Sequence, residues 1–143
     1  MTPADLMQKA QRSLKTALLL FQDGDMDGAC NRAYYAMFNA ARALLLHAGY
    51  PGAAIIKTHK GLIAAVAQFL VKPGRLTSKD HRALNSVFQI RVAADYLGTS
   101  ISRTDAHAAL ENAGSFVSAI ATQLAQPTPP YAPRQKQTKK RSL

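Results

Sequence analysis

The sequence predicts an all-α protein: a five-helix antiparallel bundle of up-and-down type, followed by a disordered basic tail. Three observations lead there. Alanine and leucine dominate while β-branched residues are thinly spread, which favours helix over sheet. Apolar residues recur at three- and four-residue spacing in five separate stretches. Each stretch lies between residues that start and stop helices, with short links that place neighbours antiparallel. The chain has 143 residues, 48% of them hydrophobic, enough for one domain with a real core.

The elements follow in order. Thr2, Pro3 and Asp5 open a first helix carrying Leu6, Ala10, Leu14, Ala17, Leu18 and Phe21, and Gly24 stops it. Asp25 caps a second helix, with Asp27 favourable to its dipole, that runs to about Ala48 and ends at Gly49. Tyr50-Pro51-Gly52 is a turn, and residues 53–57 form an apolar connector compatible with more than one state. Thr58 caps a third helix reaching Gln68 to Val71, stopped by Lys72-Pro73-Gly74. Ser78 with Lys79, Asp80 and His81 begins a fourth, which runs to Leu97 and stops at Gly98. Thr104 with Asp105 begins a fifth, carrying Ala109, Leu110, Ala113, Phe116, Val117, Ile120 and Leu124. The domain is thus expected to span residues 1–126, and the proline-rich, then basic, stretch 127–143 to be disordered.

The formal net charge is +10, and all 8 acidic residues precede the tail, which carries Arg134, Lys136, Lys139, Lys140 and Arg141. Such a balance points to a polyanion or an acidic protein as partner, although basic tails also serve only to solubilise. One cysteine, Cys30, excludes an intramolecular disulfide and fits a reducing, cytoplasmic setting; its place on the apolar arc of the second helix makes it core rather than nucleophile. No apolar run approaches the roughly 18 residues of a membrane span, and the start of the chain lacks a signal-peptide pattern, so no membrane association is expected.

The second helix carries the chemistry. At 100° per residue Cys30, Tyr34, Met37, Phe38, Ala41, Leu44, Leu45 and Ala48 share a broad apolar arc. Arg32, Tyr35, Asn39 and Arg42 lie roughly opposite, offering two guanidiniums, a phenol and an amide suited to a phosphate, a base or a protein partner. On the fourth helix Arg91 and Asp95 stand four apart, near Tyr96. They form either a simple ion pair or an arginine held in place by a carboxylate, and an acid C-terminal to its arginine is the weaker orientation of such pairs. His59 and Lys60 open the third helix, where free N–H groups could receive an anion; two solvated side chains are the plainer reading. No metal is expected. The four histidines lie on different segments, and Asp23, Asp25 and Asp27 lack the glycine and closing glutamate of a calcium loop. No phosphate-binding glycine loop is present either, and no cofactor is expected.

The run Asn31-Arg-Ala-Tyr-Tyr-Ala-Met-Phe-Asn-Ala-Ala-Arg-Ala-Leu-Leu resembles the signature helix of small HEPN-domain proteins, in particular a bacterial and archaeal branch long catalogued as an uncharacterised family. His59-Lys60-Gly61 is similar to that branch's motif opening the third helix, and Arg91-Val-Ala-Ala-Asp95-Tyr96 to its Arg-x-x-Ala-Asp-Tyr element. The resemblance covers about residues 3–125 and implies a helical bundle that homodimerises. It also implies a minimal nucleotidyltransferase as partner in a toxin–antitoxin system, and RNA or a nucleotide as ligand. Many such toxins are metal-independent ribonucleases with an Arg-x(4–6)-His motif, the arginine holding phosphate and the histidine moving protons.

This chain departs from that motif. Positions 96, 97 and 98, where the histidine should follow Arg91, hold Tyr96, Leu97 and Gly98. Arg42-x(4)-His47 and Arg75-x(5)-His81 have the spacing in the wrong places, and Asn39 stands where many relatives have histidine. A tyrosine is a poor base near neutral pH. The resemblance does suggest Tyr96 as an acceptor for adenylylation by the partner enzyme. The expectation is therefore a cytoplasmic homodimer in which Arg91 and Tyr96 carry any catalysis. Arg32, Tyr35, Asn39, Arg42, His59, Lys60 and Asp95 would bind ligand, with the arginines converging in one hollow. The alternative is a non-catalytic helical interaction module, since interfaces also favour arginine and tyrosine.

Overall fold

Helix α1 (Pro3–Gln22) starts at a reciprocal cap: the Asp5 N–H donates to Thr2 Oγ1 at 3.1 Å and the Thr2 N–H to Asp5 Oδ2 at 3.0 Å. Helix α2 (Met26–His47) starts at Asp25, whose Oδ1 accepts from the Gly28 N–H at 2.8 Å. A Cβ at position 28 would stand 2.4 Å from Asp25 Oδ2, so a side chain there would make the capping carboxylate shift. A 3-10 turn (Ala53–Ile55) occupies the connector whose state the sequence leaves open. Helix α3 (His59–Val66) is capped by Thr58 Oγ1, which accepts from the Gly61 N–H. It widens into a π turn (Ala67–Val71) instead of staying α-helical to its end.

Helix α4 (Ser78–Leu97) has Thr77 as its cap, in a second reciprocal pair with Asp80. It ends at Gly98, whose φ of +70° is a left-handed conformation that costs glycine little. Helix α5 (Arg103–Leu124) is capped by Ser102 rather than starting at Thr104, because Asp105 takes the third helical position and its N–H reaches Ser102 Oγ.

This all-α, five-helix antiparallel bundle comes from a computed structural model describing residues 1–127; the tail expected over 127–143 lies outside them beyond Pro127. No strand occurs among the described residues. The central element is α2, with 12 of its 22 residues buried, packed against α1, α4 and α5 and, at one end, α3. Six of those 12 are alanines, whose small side chains let helix axes approach closely from several sides. Leu6, Met37, Leu44, Leu45, Leu62, Leu70, Leu84, Phe116 and Ile120 complete the core. Cys30 belongs to it as expected, and burial raises its thiol pKa to about 11, so it stays protonated and unreactive.

Two tethers outside the core set the positions of the helix ends. The Ile101 N–H, in the link between α4 and α5, donates to Asp27 Oδ1 at 2.7 Å and fixes that link to the first turn of α2. The His81 ring contacts the Ile63 carbonyl of α3 at 3.1 Å.

Candidate functional site

The side chains with chemistry gather where α2, α3 and α4 meet, around Tyr34. The phenol of Tyr34 is 2% exposed, yet it is not inert core. Its oxygen lies 2.9 Å from His59 Nδ1, and His59 Nε2 lies 3.0 Å from Asn85 Oδ1. With the Asn85 oxygen as acceptor, Nε2 carries the imidazole proton and Nδ1 accepts from the Tyr34 O–H. The His59 ring also stacks on Phe88, centroids 3.7 Å apart and planes within 1°. Two hydrogen bonds and one stacked face thus determine the imidazole's place and tilt.

Burial lowers the His59 pKa, with contributions from His81 and Arg91 in the same direction, while the Asn85 hydrogen bond opposes them. The ring is therefore neutral at neutral pH. Burial also pushes the Tyr34 phenol well above its ordinary value, so it remains an O–H despite the nearby Arg91.

Arg91 comes from α4, one turn beyond Phe88. Its guanidinium carbon stands 5.2 Å from the Tyr34 ring centroid and 5.5 Å from that of Tyr35. Arg32 stands 5.4 Å from the Tyr35 centroid. The half-exposed Tyr35 ring, 36% accessible, is thus bracketed by two guanidiniums. Among the described residues neither arginine has a carboxylate within ion-pair distance. The Arg91–Asp95 pair that the sequence allows is not formed. Asp95 instead lines a hollow of about 300 Å³ with Asp27, Gly28, Asn31, Arg91, Ala94 and Ile101.

Arg42 does not join the other two guanidiniums, contrary to the expected convergence. Its Nε and Nη2 donate to the carbonyls of Ala53 and Ala54 at 3.3 and 3.2 Å, holding the 3-10 turn against α2. The physical reason is helix length: ten residues separate it from Arg32, about 15 Å along the axis. Asn39 lies partly buried between them along α2. Lys60 is exposed beside His59. Tyr96 is 87% exposed and stands apart from the Tyr34 cluster, with Val92 and Leu97 also exposed on the same end of α4.

Three participants were not among the expected site residues: Tyr34, read as core, and Asn85 and Phe88. Asn85, Phe88 and Arg91 recur every three residues on α4, and that stripe of an amide, a ring and a cation is the signal available in the sequence. No three histidine, cysteine or carboxylate side chains come together as a metal-binding group among the described residues. No described helix is long and apolar enough to cross a membrane.

With this geometry the comparisons with known proteins agree. The model of the HEPN domain matches residues 4–123. A UPF0332 protein of Gloeobacter violaceus is 35% identical over 130 residues, covering 88% of this chain and all of its own. A UPF0332 protein of Archaeoglobus fulgidus is 33% identical over 112 residues, covering 78% of this chain and 86% of its own. A Methanocaldococcus jannaschii protein named as a candidate toxin is 30% identical over 115 residues, covering 80% of this chain and 83% of its own. A match over nearly the whole bundle, joined to an Arg-Ala-Tyr-Tyr helix whose two tyrosine rings lie under Arg91, leaves one conclusion: this chain belongs to the HEPN domain family.

Proposed function

We propose that this protein is the HEPN component of a toxin–antitoxin-like system, and that it binds RNA or a nucleotide at the Arg32–Tyr35–Arg91 cluster. The observation that carries the reading is the pair of guanidiniums around Tyr35, each without a carboxylate partner among the described residues. Arginines left unneutralised suit phosphate, and a half-exposed aromatic ring between them offers a face on which a base can stack. The relatives named as candidate toxins support the system class.

In this reading the protein acts in the cytoplasm as a homodimer. The exposed Val92, Tyr96 and Leu97 at the end of α4 offer an apolar surface for a second copy or another protein. A minimal nucleotidyltransferase is the other partner. The accessible Tyr96 phenol is the acceptor it would adenylylate, forming an O–P bond to AMP and releasing pyrophosphate from ATP. Lys60, Asp95 and Asn39 extend the ligand surface, whereas Arg42 supports the fold.

The test is a gel shift with single-stranded RNA across a salt series. Binding that weakens with salt, and that Arg91→Ala reduces while circular dichroism stays helical, is the expected result. Unchanged binding by Arg91→Ala overturns the site, and no binding by the native protein overturns the reading.

A further inference from the structure

We propose that the hollow beside Arg91 binds a guanine base. This assignment rests on the RNA- or nucleotide-binding reading above and adds the base that is recognised.

The hollow lies between two pairs of side chains, each pair four residues apart on one helix: Asp27 and Asn31 on α2, Arg91 and Asp95 on α4. Ala94 and the buried Ile101 contribute apolar wall, and Gly28 has no side chain to project into the space. A volume of about 300 Å³ stands at the small end of ligand sites, with room for one nucleobase whose sugar and phosphate stay outside.

The polar groups around this space are available to a ligand. Asn31 and Asp95 make no hydrogen bond or ion pair with another described residue, and among those residues Arg91 has no carboxylate partner. Asp27 gives Oδ1 to the Ile101 amide and keeps Oδ2. Charge then narrows the choice. Two carboxylates against one guanidinium repel a phosphate from the hollow, and the guanidinium repels a cation. What fits is an uncharged plane with N–H donors along one edge and acceptors along the next.

Guanine has those edges. Its N1–H and N2–H lie side by side, so one carboxylate accepts both, and its O6 and N7 form the fork that arginine reads. Adenine and cytosine set a ring-nitrogen lone pair beside their amino group, which repels the second carboxylate oxygen. Uracil flanks its one edge N–H with two carbonyls. Asp95 therefore accepts from N1–H and N2–H, Asp27 Oδ2 from the other N2 hydrogen, and Arg91 donates to O6 and N7. The Asn31 amide donates to N3. A guanidinium has five N–H donors, so the edge turned to the base leaves others for phosphate. Tyr35 stands one turn beyond Asn31 on α2 and 5.5 Å from Arg91, which places the next base of a strand on its ring.

The experiment measures fluorescence anisotropy of the full chain with short labelled uridine strands carrying one central G, A, C or U. The G strand is expected to bind about tenfold or more tighter than each of the others. Inosine in its place, which lacks the N2 amine, loses most of that preference, and 7-deazaguanine, which lacks N7, loses part. Asp95→Asn, at an exposed position, brings the ratio of G to U affinity close to one while circular dichroism stays helical. Mononucleotide competitors separate the two sources of the base. Displacement by GMP ahead of AMP, CMP and UMP supports a free guanine nucleotide as ligand; displacement by none, with the strand preference kept, supports a guanine within RNA. Equal affinity for the four strands, or a preference for A, C or U, overturns the inference and spares the binding reading. A G preference that survives Asp95→Asn, or that inosine reproduces in full, overturns it as well. Absence of binding to every strand and mononucleotide by the native protein removes both.

Discussion

The guanidinium of Arg91 lies over the ring of Tyr34, 5.2 Å from its centroid, and not against Asp95 one turn further along the same helix. A buried ring attracts the cation through its π face without neutralising it. The arginine is thereby held in position and still carries a full charge to offer an anion.

Truncating the two kinds of arginine should therefore give opposite results. Arg91→Ala is expected to weaken RNA binding about tenfold or more and to reduce the salt dependence by about one phosphate contact. Arg42→Ala should leave binding intact and cost stability, on the order of 1–3 kcal/mol, because two carbonyls of the 3-10 turn lose a charged donor. Gel shifts paired with urea denaturation separate the two.

Removing the Tyr34 hydroxyl tests whether this phenol serves more than packing. Tyr34→Phe keeps the ring under Arg91 and deletes only the contact to His59 Nδ1. A loss of about 1 kcal/mol in chemical denaturation, with RNA affinity unchanged, is the expected outcome.

Acid should destabilise the fold through His59. Its pKa falls below the ordinary 6.5 when the chain folds, so the unfolded chain takes the proton first as pH drops. The His59 contribution is complete above pH 6.5 and is lost as pH falls from there through the folded pKa. Unfolding free energies of the native protein and His59→Gln, compared at neutral and mildly acidic pH, should show a shallower dependence in the variant.

Two substitutions test the framework. Phe116→Ala empties a core position that is 1% exposed and should cost about 3–5 kcal/mol, a large part of the total stability of a domain this size. Gly28→Ala should cost about 1 kcal/mol or more, since its Cβ collides with the Asp25 carboxylate that caps α2. Thermal denaturation followed by circular dichroism reads both.

Much of the architecture is local and so was legible in the sequence. Thr2, Asp25, Thr58 and Asp80 mark helix starts through bonds spanning three residues, and the apolar spacing of α5 follows from helix pitch alone. The widening of α3 into a π turn has no such signal. Within the site, Arg32 and Tyr35 were legible because they share a face of one helix. The partner of Arg91 was not, because a carboxylate four residues on and two aromatic rings on another helix compete for it, and only packing decides. The link between Tyr34 and His59 spans 25 residues and that between His59 and Asn85 spans 26, so no periodicity reports either.

The hydrogen bond from the Ile101 amide to Asp27 has a consequence for how the bundle breathes. It joins the α4–α5 crossover to the opening turn of α2, and the hollow beside Arg91 is walled by both of its members. Deuterium can enter at that amide only when the crossover lifts away, and lifting it also dismantles the wall. Local opening and occupancy of the hollow are therefore mutually exclusive, which makes the exchange protection of a single backbone proton a direct gauge of whether the hollow is filled.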